Sequence, residues 1–143
     1  MGGHNMKAEK IERLTAINEL IRFIVETDKK RHNPTLGSIV DGRLIQSKFI
    51  FNEKGLLYYV DSYTQKKIRP INNSSWNGFS EGGTMRQLVR QFAEFIMTGK
   101  QGFLNDYKEI WGWTYENTMK VRIKALEVGF IDSVDYPYKR WAN

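Results

Sequence analysis

The sequence predicts an α+β fold: an N-terminal helix, a small antiparallel sheet read as a hairpin or meander, and two C-terminal helices in one domain. Three patterns carry this reading. Apolar residues recur at three- and four-residue steps near the start of the chain and again in its second half. Between them lie short alternating runs rich in β-branched and aromatic residues. Glycines stand where the second and third helical patterns stop.

The first helix is expected over about Lys7–Lys29. Ile11, Leu14, Ile17, Ile21 and Ile24 form its stripe. The basic run Lys29-Lys30-Arg31 suits the negative end of the helix dipole, and Asn33-Pro34 stops the helix. Residues 1–6 read as a flexible tail, leaving 7–143 as the domain. Arg43–Phe51 reads as one strand with Ile45, Phe49 and Phe51 on one side. Asn52-Glu53-Lys54-Gly55 is a turn, with Gly55 suited to positive φ. Leu56–Asp61 returns antiparallel. Lys67–Ile71 is a short third strand, confined by Pro70 to an edge or a strand end. Ser38–Val40 is a candidate fourth.

The loop Asn72–Gly83 is polar and glycine-rich, yet it holds Trp76 and Phe79, so it is expected to fold back onto the body. A second helix begins at Thr84 as N-cap and ends before Gly99. Met85, Leu88, Val89, Phe92, Phe95 and Ile96 form its stripe. Residues 105–111 read as a further helical turn. The third helix runs from about Thr114 to Val128 and is closed by Gly129, with Phe130-Ile131 making the apolar contact that accompanies a glycine cap. Tyr115, Thr118, Met119, Ala125 and Leu126 share one face of it, with Arg122 among them. The predicted core joins Ile17, Ile21 and Ile24 to Phe49, Phe51, Leu88, Phe92 and Phe95.

Composition narrows the function. Of 143 residues, 22 are Lys or Arg against 16 Asp or Glu, a net charge of +6, and there is no cysteine. That excludes disulfides, thiolate metal sites and cysteine nucleophiles. There are 2 histidines, with no i, i+4 pair, and no phosphate-binding loop motif. The chain is therefore read as non-enzymatic, with no cofactor and no metal, in a cytoplasmic setting without a membrane span. A carboxylate-metal nuclease is the remaining catalytic reading, resting on Asp41, Glu53 and Asp61 with Lys48 and Lys54 nearby.

The excess positive charge favours anionic partners, nucleic acid or a nucleoprotein complex, with a host protein as the other class. The best anion-binding candidate is the entry to the second helix, Gly82, Gly83 and Thr84, completed by Arg86 and Arg90 one turn apart. Glu81 is placed to occupy that site itself. Lys66, Lys67 and Arg69 extend the basic set. Trp76, Phe79 and Trp141 are the candidate partner-binding aromatics. The segment Thr114–Ile131 also echoes a winged-helix recognition element, in which Asn117, Lys120 and Lys124 would face DNA.

The stretch from Asp61 to Arg122, and above all Trp76-x-Gly-Phe-Ser-x-Gly-Gly-Thr84, resembles small uncharacterised proteins of phages and bacterial mobile elements. The resemblance implies a setting and no chemistry. Proteins from that setting include stoichiometric inhibitors of host defence, so an anti-CRISPR type of inhibitor is the alternative function.

Overall fold

A computed structural model describes residues 2–71, 75–104 and 114–133 of the chain. Helix α1 (Gly2–Thr27) begins at Gly2, inside the segment expected as a tail. Once its buried stripe is in place, helix propagates outward at one hydrogen bond per residue, and no proline interrupts the chain back to Gly2. Ile17, Leu20, Ile21, Ile24 and Val25 are buried, whereas Ile11 is 48% exposed, so only the later part of the stripe reaches the core. The helix ends at Thr27, ahead of the basic run. Buried Asp28 fixes the chain beyond it, accepting from the Thr35 N–H at 2.7 Å and facing Arg31 at 3.6 Å.

The sheet departs most from expectation. The run Arg43–Phe51 is not one strand. It divides at Ser47 into β2 (Arg43–Gln46) and β3 (Lys48–Phe51), which belong to different sheets. Ser47 is buried; its N–H donates to the Leu36 carbonyl, and its hydroxyl accepts from Ser62 N–H and donates to Ser62 Oγ. These bonds pull the backbone out of the ladder. Upstream, β1 (Gly37–Val40) pairs antiparallel with β2 through an Asp41-Gly42 turn in which both residues have positive φ. Asp-Gly between short apolar runs is the two-residue hairpin signal. Downstream, β3, β4 (Leu57–Val60) and β5 (Lys67–Ile68) form an antiparallel meander. The β3–β4 turn closes as expected, with Gly55 at φ +80° and Asn52 Oδ1 accepting from Lys54 and Leu56 N–H.

Helix α2 (Gly83–Thr98) and helix α3 (Tyr115–Glu127) complete the fold. Gly99 ends α2 at φ +81°, with its N–H on the Phe95 carbonyl. Thr114 caps α3 through the Asn117 N–H, and Gly129 at φ +84° turns the chain so that Phe130 N–H meets the Ala125 carbonyl. The buried face of α3 is Thr118, Val121, Arg122 and Ala125. Tyr115 and Leu126, expected on that face, are exposed, so the helix is rotated from the predicted phase. Its packing against α1 sets the rotation, and Lys124 bonds Glu19 at 3.1 Å across that contact.

The core is a continuous row of rings: Trp76, Phe79, Tyr59, Phe49, Phe92, Phe130 and Phe95, each 4.9–6.4 Å from the next. Most meet edge to face, the geometry that aromatic quadrupoles favour. Asn18 of α1 joins helix to sheet. Its amide donates to the Phe49 carbonyl and accepts from the Phe49 N–H, satisfying the outer edge of β3. Among the described residues, no helix is long and apolar enough to cross a membrane.

Candidate anion site at the start of helix α2

The loop entering α2 folds onto the body, and Trp76, Gly78, Phe79 and Ser80 of the W-x-G-F-S-x-G-G-T stretch each have a physical task there. Trp76 is 8% exposed and packs edge-on to Phe79 at 5.1 Å. Gly78 has φ +93°, and the stem of Lys66 lies where a Cβ would stand, so only glycine fits. Thr64 Oγ1 donates to the Gly78 carbonyl. Ser80 donates through both its N–H and its hydroxyl to Asp61 Oδ2, each at 2.8 Å.

Gly82 is the N-cap of α2, and no side chain caps the helix. Thr84, expected as the cap, lies inside the first turn, because the extended backbone of Gly82 starts the helix earlier. Gly82 and Gly83 have ordinary negative φ, and a Cβ on either would meet nothing within 4 Å. Neither glycine is required by backbone geometry or by crowding. What they leave is open space over the unbonded N–H groups of the first turn, where the helix carries partial positive charge.

Arg86 and Arg90 stand over one indole. Their guanidinium carbons lie 5.3 and 5.5 Å from the Trp76 ring centroid. Both arginines are exposed and make no ion pair among the described residues. Stacking holds the planar forks in place and leaves their donor edges to solvent. The arginines and Trp76, read separately from sequence as anion clamp and docking aromatic, are one cluster. Trp76 is buried beneath the cations and is not an exposed docking residue. Phe79 is half-buried against Tyr59. Trp141 lies outside the described residues, as does the helical turn expected at 105–111.

Glu81 does not close this site. Its carboxylate turns away to accept from the Leu36 N–H at 3.4 Å. Burial raises its pKa from 4.5 to about 7, and the charges of Asp61 and Asp28 add to the rise. The Tyr59 phenol, buried beside Glu81, Asp61 and Ser47, is pushed upward in the same way, first by desolvation. Its hydroxyl and the Trp76 Nε1 have no well-formed hydrogen bond among the described residues.

The other basic candidates separate. Lys66 lies against the Trp76–Phe79 loop through Gly78, and Lys67 is exposed on edge strand β5. Arg69 turns inward, donating to the Leu57 carbonyl at 2.8 Å and covering the Tyr58 ring at 5.3 Å. The carboxylates of the nuclease reading are not brought together. Asp41 and Glu53 sit in the turns of two different sheets, and both oxygens of Asp61 are occupied by Tyr63, Thr64 and Ser80. Among the described residues no group of such side chains is placed to hold a metal. The winged-helix echo finds no wing strand among the described residues. After α3 the chain turns back with Phe130 buried and starts no strand through residue 133, and Lys124 is engaged with Glu19.

Residues 7–143 match the family model described as YoqU. The chain is 45% identical over 139 residues to the SPbeta prophage-derived uncharacterized protein YoqU of Bacillus subtilis (strain 168), an alignment covering 94% of this chain and 96% of that protein. No solved structure matches. The phage setting expected from the Trp76–Thr84 pattern agrees with the prophage origin of that relative, and the chain belongs to the YoqU family.

Proposed function

We propose that this chain is a non-catalytic binding protein that docks a phosphate-bearing partner, nucleic acid or a nucleoprotein complex, on the Arg86–Trp76–Arg90 stack. The supporting observation is the conjunction at one place: two exposed arginines fixed on one buried indole beside a helix N-terminus that no side chain caps. A phosphate seated there meets two forked donors and the free N–H groups of the first turn. Lys66 supplies further positive charge along the same loop, and the chain's +6 charge draws the partner in.

The test is oligonucleotide affinity at several salt concentrations for the wild type and for Arg86→Ala/Arg90→Ala. Each phosphate contact contributes about 0.9 to the slope of log affinity on log salt, so the double variant, which empties one phosphate seat, should lose affinity and about 1 unit of slope. Affinity and slope unchanged in a folded variant would refute the assignment.

The inhibitor reading draws on a different surface. On the β1–β2 hairpin, Ile39 and Leu44 face each other across the strands, and with Val40 they are 37–47% exposed. Capture of a host effector that is insensitive to salt and to the arginine substitutions, yet lost in Ile39→Asp, would favour it.

A further inference from the structure

A cavity of about 750 Å³ opens between the segment after α1, strand β1 and the loop that enters α2. Its volume lies within the ~300–1,000 Å³ of small-molecule sites. His32, Asn33, Ile39, Tyr63 and Glu81 are among its lining residues.

Glu81 is the carboxylate that lines it. Glu81 senses the carboxylates of Asp61 and Asp28, with Arg31 as the opposing cation. The lone pairs of the two aspartates are directed to protein donors. Asp61 takes N–H groups from Tyr63, Thr64 and Ser80 and the Ser80 hydroxyl, while Asp28 takes Thr35 N–H and faces Arg31. Glu81 has one long bond, 3.4 Å from Leu36 N–H, so most of its acceptor capacity is unspent. The lining is mostly polar, with two large apolar side chains open to solvent: Tyr63 is 74% exposed and Ile39 47%. The Tyr63 backbone N–H donates to Asp61, which places its Cα on the rim of the cleft and leaves its ring open to solvent.

A carboxylate with spare lone pairs beside an aromatic wall matches one ligand chemistry. We propose that this cleft binds a small organic cation bearing an ammonium or guanidinium group, its charge on Glu81 and its body against Tyr63. Charge-assisted hydrogen bonds to the carboxylate and cation–π contact with the ring act together on such a group. A bare divalent ion finds one available carboxylate and no aromatic benefit, and an anion is repelled by ionised Glu81. The cation requires ionised Glu81, so binding below pH 7 releases a proton. The groups facing Glu81 in this respect are Asp28, Arg31 and His32 after α1, Tyr59 on β4, and Asp61 after it.

Titration calorimetry of the full chain at pH 8 tests the proposal, with agmatine presenting a guanidinium, spermidine presenting ammonium groups, and magnesium chloride as the inorganic control. Saturable binding of at least one organic cation is expected. Glu81→Gln should weaken it tenfold or more and Tyr63→Ala severalfold, in variants whose thermal melts show them folded, while Arg86→Ala/Arg90→Ala leaves it unchanged. At pH 6 the binding enthalpy should depend on the ionisation enthalpy of the buffer. Absence of saturable binding by both organic cations, equal binding to Glu81→Gln, or equal competition by magnesium would overturn it.

Discussion

Glu81 gives this protein a pH-dependent stability that one substitution isolates. Its carboxyl has pKa about 7 in the fold against 4.5 outside it, a difference of about 2.5 units. At 1.36 kcal/mol per unit, ionising it in the folded state costs about 3 kcal/mol more than in the unfolded chain. The folded state holds this proton more tightly, so the cost is absent below about pH 4.5, grows between there and pH 7, and is complete above. Glutamine keeps the shape and the acceptor for Leu36 N–H and never ionises. Urea denaturation of wild type and Glu81→Gln should therefore give nearly equal stabilities at pH 4.5. At pH 8 the variant should be more stable by about 2–3 kcal/mol, roughly 10 °C in Tm for a chain of this size. Titrating groups that do not interact with Glu81 cancel in the comparison. Stability curves that run parallel from pH 4.5 to 8 would mean that Glu81 is an ordinary solvated carboxylate, and the reasoning from its burial would be wrong.

Other outcomes follow from the same geometry. Phe92→Ala should cost about 3–5 kcal/mol by chemical denaturation, because Phe92 is fully buried between the Phe49 and Phe130 rings; a loss under about 1 kcal/mol would refute that packing. Gly83→Ala should leave stability unchanged or raise it by up to about 1 kcal/mol, since neither φ nor crowding needs glycine there, while weakening phosphate binding at the α2 N-terminus. Asn18→Ala should cost about 1–3 kcal/mol, because it strands both backbone groups of Phe49. Gly102→Ala should destabilise strongly, as its Cβ would overlap the Phe130 ring.

Local chemistry alone determined much of this fold. The three helices, the Asn52–Gly55 turn and the glycine stops at Gly99 and Gly129 follow from side-chain periodicity and from φ values that only certain residues tolerate. The Asp41-Gly42 hairpin has an equally legible local signal, a two-residue turn whose positive φ suits Asp-Gly. The break at Ser47 was not legible, because it depends on Leu36 and Ser62, partners 11 and 15 residues away in sequence. The phase of α3 depended likewise on its packing against α1, which no pattern within the helix encodes. At the candidate site the sequence supplied Gly82, Gly83, Arg86 and Arg90 from helix-end chemistry. Only the tertiary structure placed Trp76 beneath both arginines, turned Arg69 inward and carried Glu81 into a cleft of its own. Rotamers, burial and carboxylate pKa values are set by neighbours distant along the chain, and those neighbours are chosen by packing, which is decided only when the whole chain has closed.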